Sequence, residues 1–307
     1  MSCRYVGRPG PAAPPLSDTD RGRAFAVRQL YRVGWRVGSL VPRGLVDALI
    51  IRAARRTLRR DGWHVRNLRR NLGVVSGAPA GDDLVTAALA SHFRNVYEQL
   101  ALPGAADRLV AGVSTTGEAE LRAAQATRGA VVALPHSGNW DLAGAWACRT
   151  GFPVTTVAER LGEAEFAAFT EFRTRLGMEV LAHGDRDAVK SLIEAVGRRR
   201  VICLLADRDL TKDGVPVRFA GWPVTMPIGP ALVAQRTGAA LFPTVSQFTA
   251  DAMVLRIGPE VKVGPGPDGL IAATQGVADI FAERIAERPQ DWHLLQPFFT
   301  EPVGAVG

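Results

Sequence analysis

The chain has 307 residues, of which 47% are hydrophobic, so it can bury the core of one large domain and is not an intrinsically disordered chain. Its net charge of +7 is local, because residues 21–70 contain fourteen arginines and two aspartates, a net of +12, which leaves the rest of the chain acidic. The three cysteines and five histidines occur in no metal-binding spacing. These counts argue against a zinc site and a disulfide framework, and they indicate a reduced cytoplasmic protein without a metal.

The first hundred residues are predicted to be mostly helical and basic. Residues 1–17 are expected to be a disordered leader, because proline and glycine are frequent there. Residues 18–103 are predicted to form basic amphipathic helices. These helices are expected at about 19–38, 44–60 and 82–101. No apolar run reaches the roughly eighteen residues that span a bilayer, and the first sixteen residues lack the apolar core of a signal peptide.

Helices and strands alternate through residues 104–300, the predicted catalytic core. The strands are expected at 130–135, 153–158, 178–182, 201–206, 215–219, 240–248 and 253–257. The helices between them are expected at about 116–127, 141–149, 163–176, 186–198, 230–237 and 271–288. The pattern predicts an α/β fold in one domain, residues 18–300, followed by a tail at 301–307. Its seven- or eight-stranded sheet should be mixed but mainly parallel, with helices on both faces and an N-terminal helical subdomain.

Residues 136–141, His-Ser-Gly-Asn-Trp-Asp, follow the apolar run that ends at Pro135 and carry the chemistry most clearly. A buried strand that ends on His136, turns at Ser-Gly-Asn and restarts as a helix would place an imidazole and a carboxylate at one end of a sheet. Neutral imidazole can accept a hydroxyl proton near pH 7, and a carboxylate on its other nitrogen fixes the tautomer. We therefore interpret His136 as a general base and Asp141 as its orienting partner.

Two alternatives remain open for this motif. His136 can be a structural histidine at a strand end and Asp141 a carboxylate that stabilises a helix N-terminus. Ser137 can be imagined as the nucleophile of a hydrolase, but it adjoins His136 and lacks the Gly-x-Ser-x-Gly turn of that class. The turn itself suggests a further role, because donors at Gly138 and Asn139 could stabilise a thioester oxyanion.

The segment His136–Gly144 resembles the signature of the bacterial lysophospholipid-type acyltransferases. Within that superfamily it resembles the branch of the late lipid A acyltransferases and of the actinobacterial enzymes that acylate phosphatidylinositol mannosides. The resemblance covers roughly residues 20–300 and implies a glycerol-phosphate acyltransferase-like fold. It extends through 157–161, 172–180, 205–211 and 226–231.

This resemblance implies roles for individual residues. His136 matches the catalytic histidine of the family, and Asp141 matches the acid that closes its motif. Asp207 and Asp209 lie on an acidic element that can relay charge to the histidine, and which of them faces His136 stays open. The remaining candidates are for substrate binding: Arg173, Glu159, Gly138, Asn139, Ser137 and Arg208.

The implied reaction moves a palmitoyl-like chain from acyl-CoA, a co-substrate, to a mannose hydroxyl of phosphatidylinositol mannoside, with no cofactor. Residues 21–70 are expected to hold a peripheral enzyme on the anionic, cytoplasmic face of the plasma membrane. That segment could instead be a solvated face, a nucleic-acid site or a site for CoA phosphates, and of these we expect no nucleic-acid partner. Another glycolipid or a lysophospholipid as acceptor, and a non-enzymatic membrane-binding protein, remain alternative functions.

Overall fold

The computed structural model describes residues 43–158, 163–182, 187–209 and 214–299, in which helices and strands alternate as the sequence predicts. The helices are α1 (Arg43–Arg60), α2 (Trp63–Ser76), α3 (Asp82–Ala111), α4 (Glu118–Thr127), α5 (Trp140–Arg149), α6 (Glu163–Arg175), α7 (Ala188–Gly197), α8 (Gly229–Thr237) and α9 (Gly266–Glu287). The strands are β1 (Val113–Thr116), β2 (Ala130–Leu134), β3 (Val154–Ala158), β4 (Glu179–Ala182), β5 (Val201–Leu205), β6 (Val215–Phe219), β7 (Trp222–Met226), β8 (Ala240–Phe248) and β9 (Met253–Ile257). A short 3₁₀ turn, Pro289–Asp291, follows α9.

Seven strands form one central sheet in the order β1-β9-β8-β2-β5-β3-β4. Neighbouring strands in this sheet are parallel, except for the antiparallel pair β8 and β9. Strands β6 and β7 form a separate antiparallel hairpin, which accommodates Pro216 outside the sheet centre. The mixed, mainly parallel sheet confirms the predicted fold class.

The central strands are buried on both faces, which explains their continuous apolar sequences. All five residues of β2 and all nine of β8 are buried. On one face, α7, α8 and α9 cover the sheet with side chains such as Phe281; on the other, α3 to α6 do so with side chains such as Trp146. Each large apolar side chain buried in this way contributes about 1.5–3 kcal/mol to stability.

Helices α1, α2 and α3 share a smaller apolar cluster. Its buried members include Ala54 of α1, Leu68 and Leu72 of α2 and Leu89 of α3. In the part of the chain that the structure describes, no helix is both long enough and apolar enough to cross a membrane.

Three local elements differ from the sequence prediction, and three other predictions fall on residues that the structure does not describe. Helix α2 and strand β1 were not expected, and α3 continues to Ala111 although its end was expected near 101. Pro103 is accommodated because the helix kinks there, with φ −128° and ψ 15° at Ala105. The helix expected at 19–38, the leader at 1–17 and the tail at 301–307 lie outside the described residues.

Candidate active site

Two neighbouring parallel strands place a histidine beside a carboxylate. Leu134 of β2 pairs in register with Leu205 of β5. His136 and Asp207, each two residues further along, therefore leave the sheet at the same edge. His136 Nδ1 lies 2.6 Å from Asp207 Oδ1, and the main-chain N–H of His136 donates to Asp207 Oδ2 at 2.9 Å. The carboxylate thus holds the histidine through both its ring and its backbone.

Asp207 is a fully buried carboxylate. Burial alone would raise its pKa, but the charge of His136 and hydrogen bonds from His136 and Trp292 outweigh burial and lower the pKa of Asp207. An ionised Asp207 accepts the Nδ1–H of a neutral His136, and this partner leaves Nε2 without a proton. The His136 side chain is 25% exposed, so it can present this basic nitrogen to a ligand.

The structure corrects the expected pairing of His136 with Asp141. Helix α5 begins at Trp140, so Asp141 lies in its first turn, and Asp141 Oδ1 accepts a hydrogen bond from Arg173 Nε at 2.7 Å. Closeness along the chain does not bring Asp141 to the imidazole, because the helix directs it toward α6, whereas strand register brings Asp207 there. Asp141 and Arg173, predicted separately as a catalytic and a substrate-binding residue, instead form a buried ion pair.

Hydrogen bonds to residues outside it hold the Ser-Gly-Asn turn and engage two of the donors that were expected to face an oxyanion. Gly138 has φ +53°, and a Cβ there would lie 2.7 Å from the main-chain oxygen of Ser246, so the turn requires glycine. The Gly138 N–H donates to the carbonyl of Asp291 at 2.9 Å. Asn139 caps α5 through its Oδ1 and donates through Nδ2 to Glu98 at 3.2 Å. The Gly138 N–H and the side-chain NH₂ of Asn139 are therefore already engaged.

The structure distinguishes the two aspartates that follow β5. Asp209 Oδ2 accepts the Gly214 N–H at 3.0 Å, whereas Asp207 bonds to His136. Arg208, between them, is half-buried and takes no part in the hydrogen bonds of the histidine–carboxylate pair. The aspartate that faces the histidine is Asp207.

The structure gives no support to Ser137 as a nucleophile, and it does not test Glu159, a substrate-binding candidate. Ser137 Oγ is buried and has no hydrogen-bond partner among the described residues, so His136 does not activate it as a nucleophile. Glu159 lies outside the described residues. Within the described ranges, no three histidine, cysteine, aspartate or glutamate side chains gather into a possible metal site.

Residues 291–293 pair with the chain around His136 and Gly138. The sequence did not predict this contact. The His293 N–H donates to the carbonyl of His136 at 2.7 Å, and Trp292 Nε1 donates to Asp207 Oδ2 at 2.9 Å. A buried tryptophan needs a partner for its single N–H, but the sequence does not say which acceptor it finds. The sequence therefore did not predict the contact of Trp292 with the site.

An apolar cavity lies between the sheet and α5, next to the histidine–carboxylate pair. Its volume is about 70 Å³, which is smaller than the roughly 300–1,000 Å³ typical of ligand pockets. Trp140 and Asp141, which follow the Ser-Gly-Asn turn, lie in the wall of this cavity together with Arg173. Most of the remaining wall is apolar and includes Leu134, Trp146, Phe152, Met178 and Leu255.

A mixed α/β sheet that carries a histidine–carboxylate pair at its edge defines a class of protein suited to general-base chemistry. Residues 21–301 match the family described as bacterial lipid A biosynthesis acyltransferase. The chain belongs to that family, which confirms the resemblance found in its motifs.

Two curated relatives of this chain carry the same, more specific name within the family. The chain is 43% identical over 275 residues to the phosphatidylinositol mannoside acyltransferase of Mycolicibacterium smegmatis, covering 87% of this chain and 89% of the relative. It is 40% identical over 282 residues to the phosphatidylinositol mannoside acyltransferase of Mycobacterium tuberculosis, covering 87% and 86%. The similarity therefore extends over most of both sequences and is not confined to one motif.

Proposed function

We propose that this protein transfers a palmitoyl-like chain from acyl-CoA to a mannose hydroxyl of phosphatidylinositol mannoside, at the cytoplasmic face of the plasma membrane. The observation that carries the proposal is the His136–Asp207 pair, which supplies a base near a small apolar cavity. The acceptor is proposed from the relatives, whose names specify phosphatidylinositol mannoside. Acyl-CoA is the co-substrate, and the reaction needs no cofactor.

The first step is attack by the acceptor hydroxyl. His136 Nε2 takes the hydroxyl proton while the hydroxyl oxygen forms a bond to the thioester carbonyl carbon. The buried Asp207 stabilises the resulting imidazolium through the 2.6 Å contact with Nδ1. General-base catalysis of this kind contributes about 10²–10⁴-fold to rate.

The second step is collapse of the tetrahedral intermediate. Because the Gly138 N–H is engaged, we assign the oxyanion to the N–H groups of Trp140 and Asp141, which in the first turn of α5 have no acceptor within the helix. The carbon–sulfur bond then breaks, and the thiolate of coenzyme A takes the proton from His136. Both substrates leave as products, and the imidazole is neutral again.

Arg173 supports this assignment electrostatically. A carboxylate beside the first turn of α5 would repel a developing oxyanion, but the guanidinium of Arg173 neutralises Asp141 through the 2.7 Å bond. We therefore assign Arg173 and Asp141 together to the substrate-facing wall of the cavity.

An apolar and basic surface on α1 supports membrane attachment. Leu45 and Leu49 are 53% and 55% exposed, and Trp63, at the start of α2, is 51% exposed. The exposed arginines of α1 are Arg43, Arg52, Arg55, Arg56, Arg59 and Arg60. Apolar side chains among basic ones suit insertion between anionic headgroups, where each basic residue contributes about 1 kcal/mol. Residues 21–42, the rest of the predicted membrane segment, lie outside the described residues.

The decisive experiment is a transfer assay with acceptors compared in parallel. The full chain is incubated with labelled palmitoyl-CoA and phosphatidylinositol mannoside, a lysophospholipid or a lipid A precursor, and products are identified by mass. We expect transfer to the mannoside, and loss of transfer with retained palmitoyl-CoA binding in His136→Ala. Preferred transfer to another lipid would refute the acceptor, and wild-type turnover by His136→Ala would refute the base.

Membrane attachment has a separate test. Flotation with phosphatidylglycerol vesicles is measured for Arg55→Glu and, as a matched control, for Lys190→Glu, which reverses an exposed charge on α7. We expect binding to fall about tenfold or more only in Arg55→Glu. Equal binding by both variants would contradict the role of α1.

A further inference from the structure

The indole of Trp292 makes a hydrogen bond to the carboxylate that holds the catalytic histidine. We propose that Trp292 is a positioning residue for His136, because its N–H fixes Asp207 Oδ2 and so aims Oδ1 at the imidazole. This role rests on the proposed acyl transfer, in which His136 is the base.

The hydrogen bonds of Asp207 set the plane of its carboxylate. Oδ1 accepts from His136 Nδ1 at 2.6 Å, while Oδ2 accepts both the His136 main-chain N–H and Trp292 Nε1 at 2.9 Å. Rotation of the carboxylate would break both bonds to Oδ2. Since Asp207 is fully buried, no bulk water replaces a lost donor. The N–H of Trp292 therefore helps to prevent rotation of the Asp207 carboxylate, which would weaken the contact between Oδ1 and the His136 ring.

The indole is itself held in one orientation. It is fully buried and stacks on Phe219, with ring centroids 5.7 Å apart and an interplanar angle of 16°. Phe298 meets it edge-on, with centroids 5.4 Å apart. The residue that follows it, His293, donates its N–H to the His136 carbonyl at 2.7 Å. Ring packing and backbone pairing thus fix the donor relative to the catalytic turn.

Packing alone does not account for this arrangement. Phe219 and Phe298 fill the same cluster without a polar atom, whereas Trp292 adds a donor that reaches the charged partner of the base. Loss of a hydrogen bond to a charged group is expected to slow the reaction about 10–100-fold. The loss should fall on kcat, because Trp292 acts on the base through Asp207 and does not line the apolar cavity.

The kinetic test compares two aromatic substitutions in the full chain. Trp292→Phe keeps a ring and removes the N–H, and its kcat for palmitoyl transfer should fall about 10–100-fold with little change in KM for palmitoyl-CoA. Phe298→Leu disturbs the packing of the indole but keeps the donor, so kcat should fall much less. An unchanged kcat in Trp292→Phe, or an equal fall in Phe298→Leu, would overturn the proposal.

A spectroscopic readout works without substrate. The proton NMR signal of the His136 Nδ1–H, in its short bond to Asp207, should shift or broaden in Trp292→Phe and persist in Phe298→Leu. Should Trp292→Phe fail to fold, 3-benzothienylalanine at position 292 keeps both rings and lacks only the N–H. An unchanged signal in the donor-free protein would overturn the positioning role, whereas absent transfer by the wild-type chain would refute the proposed function alone.

Discussion

Asparagine at position 207 would keep the size of the side chain and remove its charge. The carboxylate of Asp207 accepts three donors, namely the ring Nδ1–H and main-chain N–H of His136 and the indole N–H of Trp292. An amide has only one oxygen, so its NH₂ must face one of these donors. If the oxygen keeps the two bonds at the Oδ2 position, the NH₂ faces the imidazole and moves its proton to Nε2. The ring then has no free lone pair for the acceptor hydroxyl.

The expected loss is large because this change removes the base while the fold persists. In the Ser-His-Asp triad, an asparagine that imposes the wrong histidine tautomer lowers kcat about 10⁴-fold. General-base catalysis in general contributes about 10²–10⁴-fold. We therefore expect Asp207→Asn to lower kcat by about 10³–10⁴-fold.

The assay follows release of the coenzyme A thiol from palmitoyl-CoA in the presence of the mannoside acceptor. Asp209→Asn is the matched control, because Asp209 lies two residues away and bonds to the Gly214 N–H. It should stay within about tenfold of the wild-type chain. The reasoning is refuted if Asp207→Asn retains kcat within tenfold while folded, or if Asp209→Asn loses as much.

Three other outcomes follow from the geometry. A Cβ at Gly144 would lie 2.6 Å from Met178 Sδ in the cavity wall, so Gly144→Val should shift the preferred donor in a competition assay from palmitoyl-CoA to shorter acyl-CoAs. Gly138→Ala should lower the free energy of unfolding in urea by about 1–3 kcal/mol, because φ is +53° and the Cβ would meet the backbone oxygen of Ser246; unchanged stability would contradict this reason. Burial lowers the pKa of His293 well below its usual value. Below about pH 6.5, His293 is therefore protonated in the unfolded chain while it stays neutral in the folded chain. Stability should therefore fall as the pH drops below about 6.5, and His293→Asn should flatten that dependence in chemical denaturation.

The strands that carry the site could be predicted from local sequence. Strands β2 and β5 are short, nearly continuous apolar runs followed by polar residues, a pattern that indicates strands covered on both faces. Their ends at His136 and Asp207 follow directly. Helix α2 was missed although Val65, Leu68 and Leu72 have helical spacing, because arginines dominate the segment around them.

The family resemblance implied that Asp207 or Asp209 faces His136, but residue spacing alone favoured Asp141, because strand pairing is a non-local property. Asp141 is near His136 in the chain, yet the first turn of α5 directs it to Arg173. Asp207 reaches the imidazole only because β2 and β5 are neighbours in register, and the chain alone gives neither their order nor their alignment.

Residues 291–293 have a consequence for how the protein becomes active during synthesis. The contacts of Asp207 join three parts of the chain that are made far apart in time, with His136 first and Trp292 last. A nascent chain that contains β2 and β5 but not yet Trp292 lacks the indole hydrogen bond to Asp207. The full set of hydrogen bonds to Asp207 can therefore form only after Trp292, the last of these residues in the chain, has been made.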